Sequence, residues 1–499
     1  MAQADAEVFP ILREVNAREL ESRAEWVRQP EPAADEQALD SDRGPAAAGD
    51  GVRTLDLDAA LAVAVSQGRE YITRRESVYL QGLSLTLTRY EFGPILDATI
   101  GALWSDAEGS TDGHSLGADL SVSKILDSGG SVDFRAGAGF SDTSDSSGSF
   151  DSDLDLTFSQ PLMRGAGYEV SHESLTQAER DMIYEVRDFE LFREDYSIDI
   201  AEEYFGLVSQ KQRLANTQNS YEQAVFDREK AEALRQVDRN QDEDVFNARR
   251  REVDEENRLL VARNNYKRAQ DEFKIRLGLP TGARLEVEDI EPPFAPVRLD
   301  MASAVAVALH NRLDLRTRED LVVDARRKLR VARDGLRPDL DLMLGAGSSG
   351  LGEHFDQAAP DEWRATAGLT LGLPLDRQSE RNALRASMIT LERAERELSL
   401  LRDTIERDVR NQLRSLLTTE DLIVIQRDEI EQERRAVAVT QIRVEAGDSD
   451  QRDLSDARQA LVDAENALIE LLAAHFIARL RLLRTMGVLF IDDEGKWLT

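Results

Sequence analysis

The chain contains the same pattern twice, and few folds accommodate that. Shifted by 244 positions, Leu55–Ala102 falls on Leu299–Ala346 without a gap, and sixteen of the 48 positions are identical. Chance would give about three. Leu55/Leu299, Asp56/Asp300, Arg89/Arg333, Pro94/Pro338 and Gly101/Gly345 are among the matches. A second match, at a shift of 209, sets Val253-Asp254 and Glu256-Asn257 on Val462-Asp463 and Glu465-Asn466. The chain therefore divides into an N-terminal helix and polar linker (1–51), a first repeat (52–297) and a second repeat (298–499). Each repeat reads helix, strands, long helix, break, helix.

Proline placement supports the long helices. None occurs between Pro161 and Pro280, and none after Pro374. Runs of that length rich in Ala, Glu, Arg, Gln and Leu are what uninterrupted helices require. Glu169–Val237 would extend to roughly 100 Å at helical rise. One helix is expected over Leu55–Phe92 and another over Asp242–Leu277. Together they are about as long as the long helix, so they could lie end to end and antiparallel beside it. In the first 51 residues, 5–28 read as one amphipathic helix, and 29–51 as a linker too polar to pack.

Six segments alternate with a period of two, four in the first repeat (95–160) and two in the second (339–374). Leu116, Ala118, Leu120 and Val122 alternate with Gly117, Asp119, Ser121 and Ser123; Trp363, Ala365, Ala367 and Leu369 alternate with Arg364, Thr366 and Gly368. A soluble sheet with one wet face gives this pattern. So does a membrane barrel with lipid outside and water inside. Strand length and the alternation of long and short connections favour the barrel.

Charge and composition exclude several classes. A formal charge of −34 repels nucleic acid. With no cysteine, thiolate metal sites, disulfides and thiol nucleophiles are absent, and the five histidines never reach the spacing of a helical zinc site. No run of 18 apolar residues offers a membrane-spanning helix. The start, Met1-Ala2-Gln3-Ala4-Asp5, lacks the pattern of a secretory leader. The expectation is either a cytoplasmic protein or a chain that begins after a cleaved leader. Gly345-Ala346-Gly347-Ser348-Ser349-Gly350 spells a dinucleotide-type glycine pattern, but another alternating strand follows where a helix is needed. No acid–base pair stands out, so no catalytic residue, cofactor or metal is expected.

These residues resemble the TolC-like outer-membrane efflux protein family. Leu55-Asp56-Leu57-Asp58-Ala59-Ala60-Leu61-Ala62 is similar to its first-helix signature. Leu156-Thr157-Phe158-Ser159-Gln160-Pro161-Leu162 resembles its corner from barrel to helix, Leu277-Gly278-Leu279-Pro280 the end of its first repeat, and Val444-Glu445-Ala446-Gly447 with Asp453-Leu454-Ser455-Asp456 its periplasmic tip. The resemblance covers residues 52–490. It implies a homotrimer whose outer-membrane β-barrel continues into a long periplasmic α-helical barrel. Such a tunnel exports small molecules or proteins together with a periplasmic adaptor and an inner-membrane RND, ABC or MFS pump.

The resemblance also assigns residues. Asp453, Asp456 and the first-repeat counterpart Asp244 would ring the periplasmic aperture, where three-fold symmetry concentrates negative field. The alternative for these carboxylates is helix capping. The tips, represented by Asp238, Arg239, Asn240, Gly447, Asp448 and Ser449, would meet the adaptor. Residues 95–160 hold 12 acids and two bases, Lys124 and Arg135. Asp97, Asp119, Asp133, Asp153 and Asp155 fall on the polar faces, which predicts a cation-preferring lumen. Trp104 and Trp363 suit a membrane-interface belt, or equally an ordinary core. Four strands in the first repeat, where the family has two, leave open an 18-stranded or a 12-stranded trimeric wall. The reading from another class is a soluble acidic coiled-coil scaffold.

Overall fold

Asp56 and Asp300 hold equivalent positions in the two repeats and act alike. Asp56 Oδ1 accepts from the Ala59 amide at 2.7 Å, and Asp300 Oδ2 from the Ser303 amide at 3.0 Å, so each caps a helix. The structure, a computed structural model, describes residues 2–24, 53–105, 113–143, 146–236, 242–290, 292–446, 448–449, 451–492 and 494–498. Helix α1 (Ala2–Ala24) and strand β1 (Arg53–Leu55) precede α2 (Leu57–Gln67) and α3 (Arg69–Glu91). Next come β2 (Ile95–Ser105), β3 (Gly113–Ile125), β4 (Ser131–Thr143) and β5 (Ser146–Pro161). A single turn, α4 (Tyr168–Ser171), leads to the 64-residue α5 (Glu173–Gln236), then α6 (Asp242–Arg276) and β6 (Leu285–Val287). The second repeat supplies α7 (Met301–Asn311), α8 (Leu313–Asp334), β7 (Asp339–Gly352), β8 (Glu362–Gly372), the 69-residue α9 (Gln378–Ala446) and α10 (Gln451–Thr485). Strands β9 (Phe490–Ile491) and β10 (Trp497–Leu498) end it.

Two expectations about helices need correction. The helix expected over 55–92 breaks at Gly68, whose extended backbone caps α2 and starts α3. A side chain there would strike the Tyr196 hydroxyl and the Ala64 carbonyl. The long helix from 169 breaks at His172, whose amide bonds back to Tyr168 while its ring stacks on Tyr168 at 4.3 Å.

The chain forms two compact units. The first takes in α1, Ser77–Arg187 and Asp314–Leu401. It contains one six-stranded sheet in the order β2-β3-β4-β5-β7-β8, antiparallel throughout, so both repeats feed one sheet. Its helices α5 and α8 join through a buried polar network around Asp324. That carboxylate accepts from the Tyr184 hydroxyl at 2.6 Å and from Arg327 at 2.9 Å, and it pairs with Arg180 at 3.1 Å. Arg327 also reaches Glu173 at 2.5 Å, and Arg187 reaches Asp320 at 2.7 Å.

The second unit takes in Asp188–Leu313, Arg402–Thr499 and the described residues from Arg53 to Glu76. Its core joins Leu61, Tyr204, Phe273, Leu277, Leu480 and Leu489. Buried side chains recur along α9 at Ile405, Val409, Leu413, Leu416, Ile423 and Ile430, the three- and four-residue spacing of a helix with one packed stripe. Beside this core Arg276 lies over the Tyr196 ring at 5.1 Å and bridges Glu70, Asp199 (3.1 Å) and Glu203 (3.4 Å).

Burial raises the Asp199 and Glu203 carboxyls above their ordinary values of 3.8 and 4.5, with Arg276 opposing the shift. A carboxyl whose folded pKa is raised binds protons more readily folded than unfolded. Stability from this pair therefore grows as pH falls through the window just above those ordinary values. Mild acidification from pH 7 should raise the thermal midpoint, helped by relief of the net charge of −34. Calorimetry from pH 7.5 to 5 reads it, and Asp199→Asn with Glu203→Gln should flatten the rise.

Candidate functional site

Strand register sorts the six-stranded sheet into two chemical faces. One cross-strand row runs Asp97, Ser121, Arg135, Asp155, Gly347, Arg364, and the next runs Thr99, Asp119, Gly137, Asp153, Ser349, Glu362. The expected acids Asp97, Asp119, Asp133, Asp153 and Asp155 thus share one face, joined by Asp151, Asp339, Asp341 and Glu362. Two arginines interrupt the acid field. Arg135 bonds Asp119 through Nε at 3.0 Å and Nη2 at 2.6 Å, and Arg364 bonds Asp155 at 2.9 Å. Gly137 leaves the space these carboxylates occupy, since a Cβ there would stand 3.1 Å from Asp119 Oδ1 and closer still to Asp153. Arg364 was visible as an alternating residue, but its partner lies 209 positions away and only the register reveals it.

The opposite face carries Leu96, Ile100, Leu120, Phe134, Leu154 and Leu344, all exposed in the single chain. Trp104 and Trp363 belong to this face, at 64% and 82% exposure. Both stand where strands meet the connections 105–113 and 353–361. At the same end Phe140 meets Phe150 at 4.8 Å with its ring tilted by 45°, and Phe150 meets Phe355 edge-on at 6.1 Å. Phe355 sits on a short 3-10 turn and has no alternation to mark it, so sequence reading missed this cluster.

The other end of the sheet is tied to the helices. The β3–β4 turn closes through Gly129 (φ 87°), and Ser128 and Gln160 bond each other. The corner after β5 is anchored by Gly165, whose amide donates to the buried Asp334 carboxylate at 2.7 Å.

At the α9–α10 tip, the Asp448 amide closes α9 on the Arg443 carbonyl at 2.8 Å. Ser449 donates to Asp453 Oδ2 at 2.6 Å, and Arg452 lies 3.9 Å from Asp456. The two aspartates, three residues apart in the first turns of α10, project from neighbouring places on one helix face. Asp238, Arg239, Asn240 and Gly447 lie outside the described residues, and Asp244 falls in the first turn of α6 with its side chain also outside them.

The glycine pattern Gly345–Gly350 lies inside β7, so it forms no turn that could cradle a phosphate. Among the described residues, no group of three or more His, Asp or Glu could hold a metal ion, and no helix is long and apolar enough to cross a membrane.

Residues 304–488 match a family model described as outer membrane efflux protein. Solved channels share the fold. CmeC of Campylobacter jejuni superposes with a TM-score of 0.66 at 13% identity, covering 93% of this chain and 94% of that one. VceC of Vibrio cholerae gives 0.65 at 14%, covering 86% and 96%, and the outer-membrane channel OprN 0.65 at 16%, covering 86% and 89%. A search of curated proteins found no match. Neither the matched family nor these neighbours are enzymes. Residues 304–488 are thus similar to the outer membrane efflux protein family, and the fold of the chain is that of the TolC-like outer-membrane channels.

Proposed function

We propose that three copies of this chain form an outer-membrane channel-tunnel that moves small molecules or proteins out of the cell, driven by partners. The sheet sits in the lipid of the outer membrane, and the long helices cross the periplasm to meet an adaptor and an inner-membrane RND, ABC or MFS pump. The observation that carries this reading is the two-faced sheet. One antiparallel sheet turns apolar side chains outward, unburied, on one face and gathers carboxylates on the other. A soluble scaffold would leave that apolar face in water, whereas a barrel puts it against lipid and the acids in an aqueous lumen. The tips meet the adaptor, and Asp453, Asp456 and Asp244 ring the periplasmic aperture, where like charges brought together concentrate negative field and favour cations.

The test is mass and symmetry in detergent, followed by planar-bilayer recording. A detergent-dependent trimer that conducts with cation preference is expected, and Asp453→Asn with Asp456→Asn should weaken that preference by removing negative field at the aperture. A detergent-independent monomer or dimer without conductance would leave the scaffold reading standing instead.

A further inference from the structure

The outermost strands of the sheet, β2 and β8, carry 11 residues each, and among the described residues each pairs on one side only. Neither is guarded. Natural edges are blunted by proline, lysine, bulges or shortness, and β2 (ILDATIGALWS) and β8 (EWRATAGLTLG) have no proline or lysine. In hydrocarbon each unpaired backbone amide or carbonyl costs several kcal/mol, so an open edge is not tolerated there. Something must pair with both edges.

We propose that β2 of one copy pairs with β8 of the next, so that three six-stranded sheets close into a single wall of 18 strands. The proposal rests on the trimeric reading above and adds how the wall is built. Strand direction permits it. With six strands alternating in direction, β8 runs opposite to β2, so a neighbour's β2 beside β8 continues the antiparallel order. Side-chain chemistry also permits it. Ile100 and Leu96 of β2 share the apolar face with Leu369 and Leu371 of β8, and Asp97 shares the polar face with Arg364.

The β3–β4 hairpin is part of this wall. Its strands pair in unbroken register from Gly113↔Thr143 to Ile125↔Ser131, while β3 pairs β2 and β4 pairs β5 along their lengths. Moving the hairpin out of the wall to leave four strands per copy would break both outer ladders. Strand spacing of about 4.8 Å and tilt of about 40° put the closed wall near 36 Å across its backbone, against about 24 Å for 12 strands.

The chain has no cysteine, so introduced thiols report without background. Gly101→Cys on β2 would be combined in turn with Thr366→Cys, Gly368→Cys and Thr370→Cys on β8, all polar-face positions, to sample register. Within one chain these sites lie about five strand spacings apart, roughly 24 Å, far beyond the ~4 Å Cβ separation of a disulfide. Oxidation of the full chain in detergent should give, for at least one pair, a covalent trimer as the main band on a denaturing gel. A density map of the unmodified protein should show 18 strands in cross-section. A trimer with 12 wall strands and no crosslink would overturn this inference and leave the trimeric channel intact. A particle that is not a trimer would overturn both.

Discussion

Replacing Asp324 by alanine should lower the stability of the first unit by about 3–5 kcal/mol, the usual cost of removing one partner from a buried ion network. Its side chain is 3% exposed, and three donors converge on it: Tyr184, Arg327 and Arg180. Arg327 would keep Glu173, and Arg180 would keep Asp320 at 3.4 Å, but the Tyr184 hydroxyl would lose its carboxylate acceptor. The loss is one-sided because the guanidinium of Arg327 stays buried with one of its three partners gone and only Glu173 and Gln177 left. Asp324→Asn keeps the shape and one acceptor oxygen, so it should cost less than half as much. Thermal unfolding in detergent reads both variants. A spectroscopic readout separates electrostatics from packing. Burial pushes the Tyr184 phenol well above its usual value of 10, and the hydrogen bond to the Asp324 carboxylate pushes it further. With a neutral asparagine as neighbour, phenolate absorbance should appear at lower pH.

That network also shows where sequence reading ends. The repeat was legible because Asp56 and Asp300 cap equivalent helices, and the strands were legible because a sheet with two chemically different faces must alternate. Arg327 and Asp324, by contrast, read as ordinary charges on a helix rich in them, and their partners Glu173 and Tyr184 lie about 150 positions away. Burial of a charge is decided by what packs over it, and no local pattern records that. The same holds for Arg364 with Asp155. The alternating pattern gave its face, and only register gave its partner. The break at Gly68 was missed for a related reason. Alanine-rich sequence before it and Arg-, Glu- and Leu-containing sequence after it carry helix propensity, while what demands a glycine there is the Tyr196 hydroxyl arriving from another helix.

Gly278 and Gly487 are equivalent under the 209-residue shift, and alanine at each should separate two costs that usually come together. Both residues sit in the left-handed region, at φ 77° and 67°, so alanine pays a conformational penalty of about 1–2 kcal/mol at either site. Their surroundings differ. A Cβ on Gly278 would stand 2.6 Å from the carbonyl carbon of Gln67 and closer to its oxygen, and this is backbone at the end of α2 that cannot rotate away. On Gly487 it would stand 3.1 Å from the backbone of Asn311 and Arg312 at the matching end of α7, close enough to need a shift of only a few tenths of an ångström. The overpacking cost of about 1–3 kcal/mol therefore falls mainly on the first repeat. Gly278→Ala should cost about 3–4 kcal/mol and Gly487→Ala about 1–2 kcal/mol, read as the difference between their thermal midpoints. Equal losses would mean that the α2–α3 junction yields freely. That would contradict the tight seating of Leu277, fully buried in the same core as Leu61 and Tyr204. The tighter junction belongs to the repeat whose α2 ends in glycine, since Gly68 lets Gly278 approach where Arg312 holds Gly487 farther off.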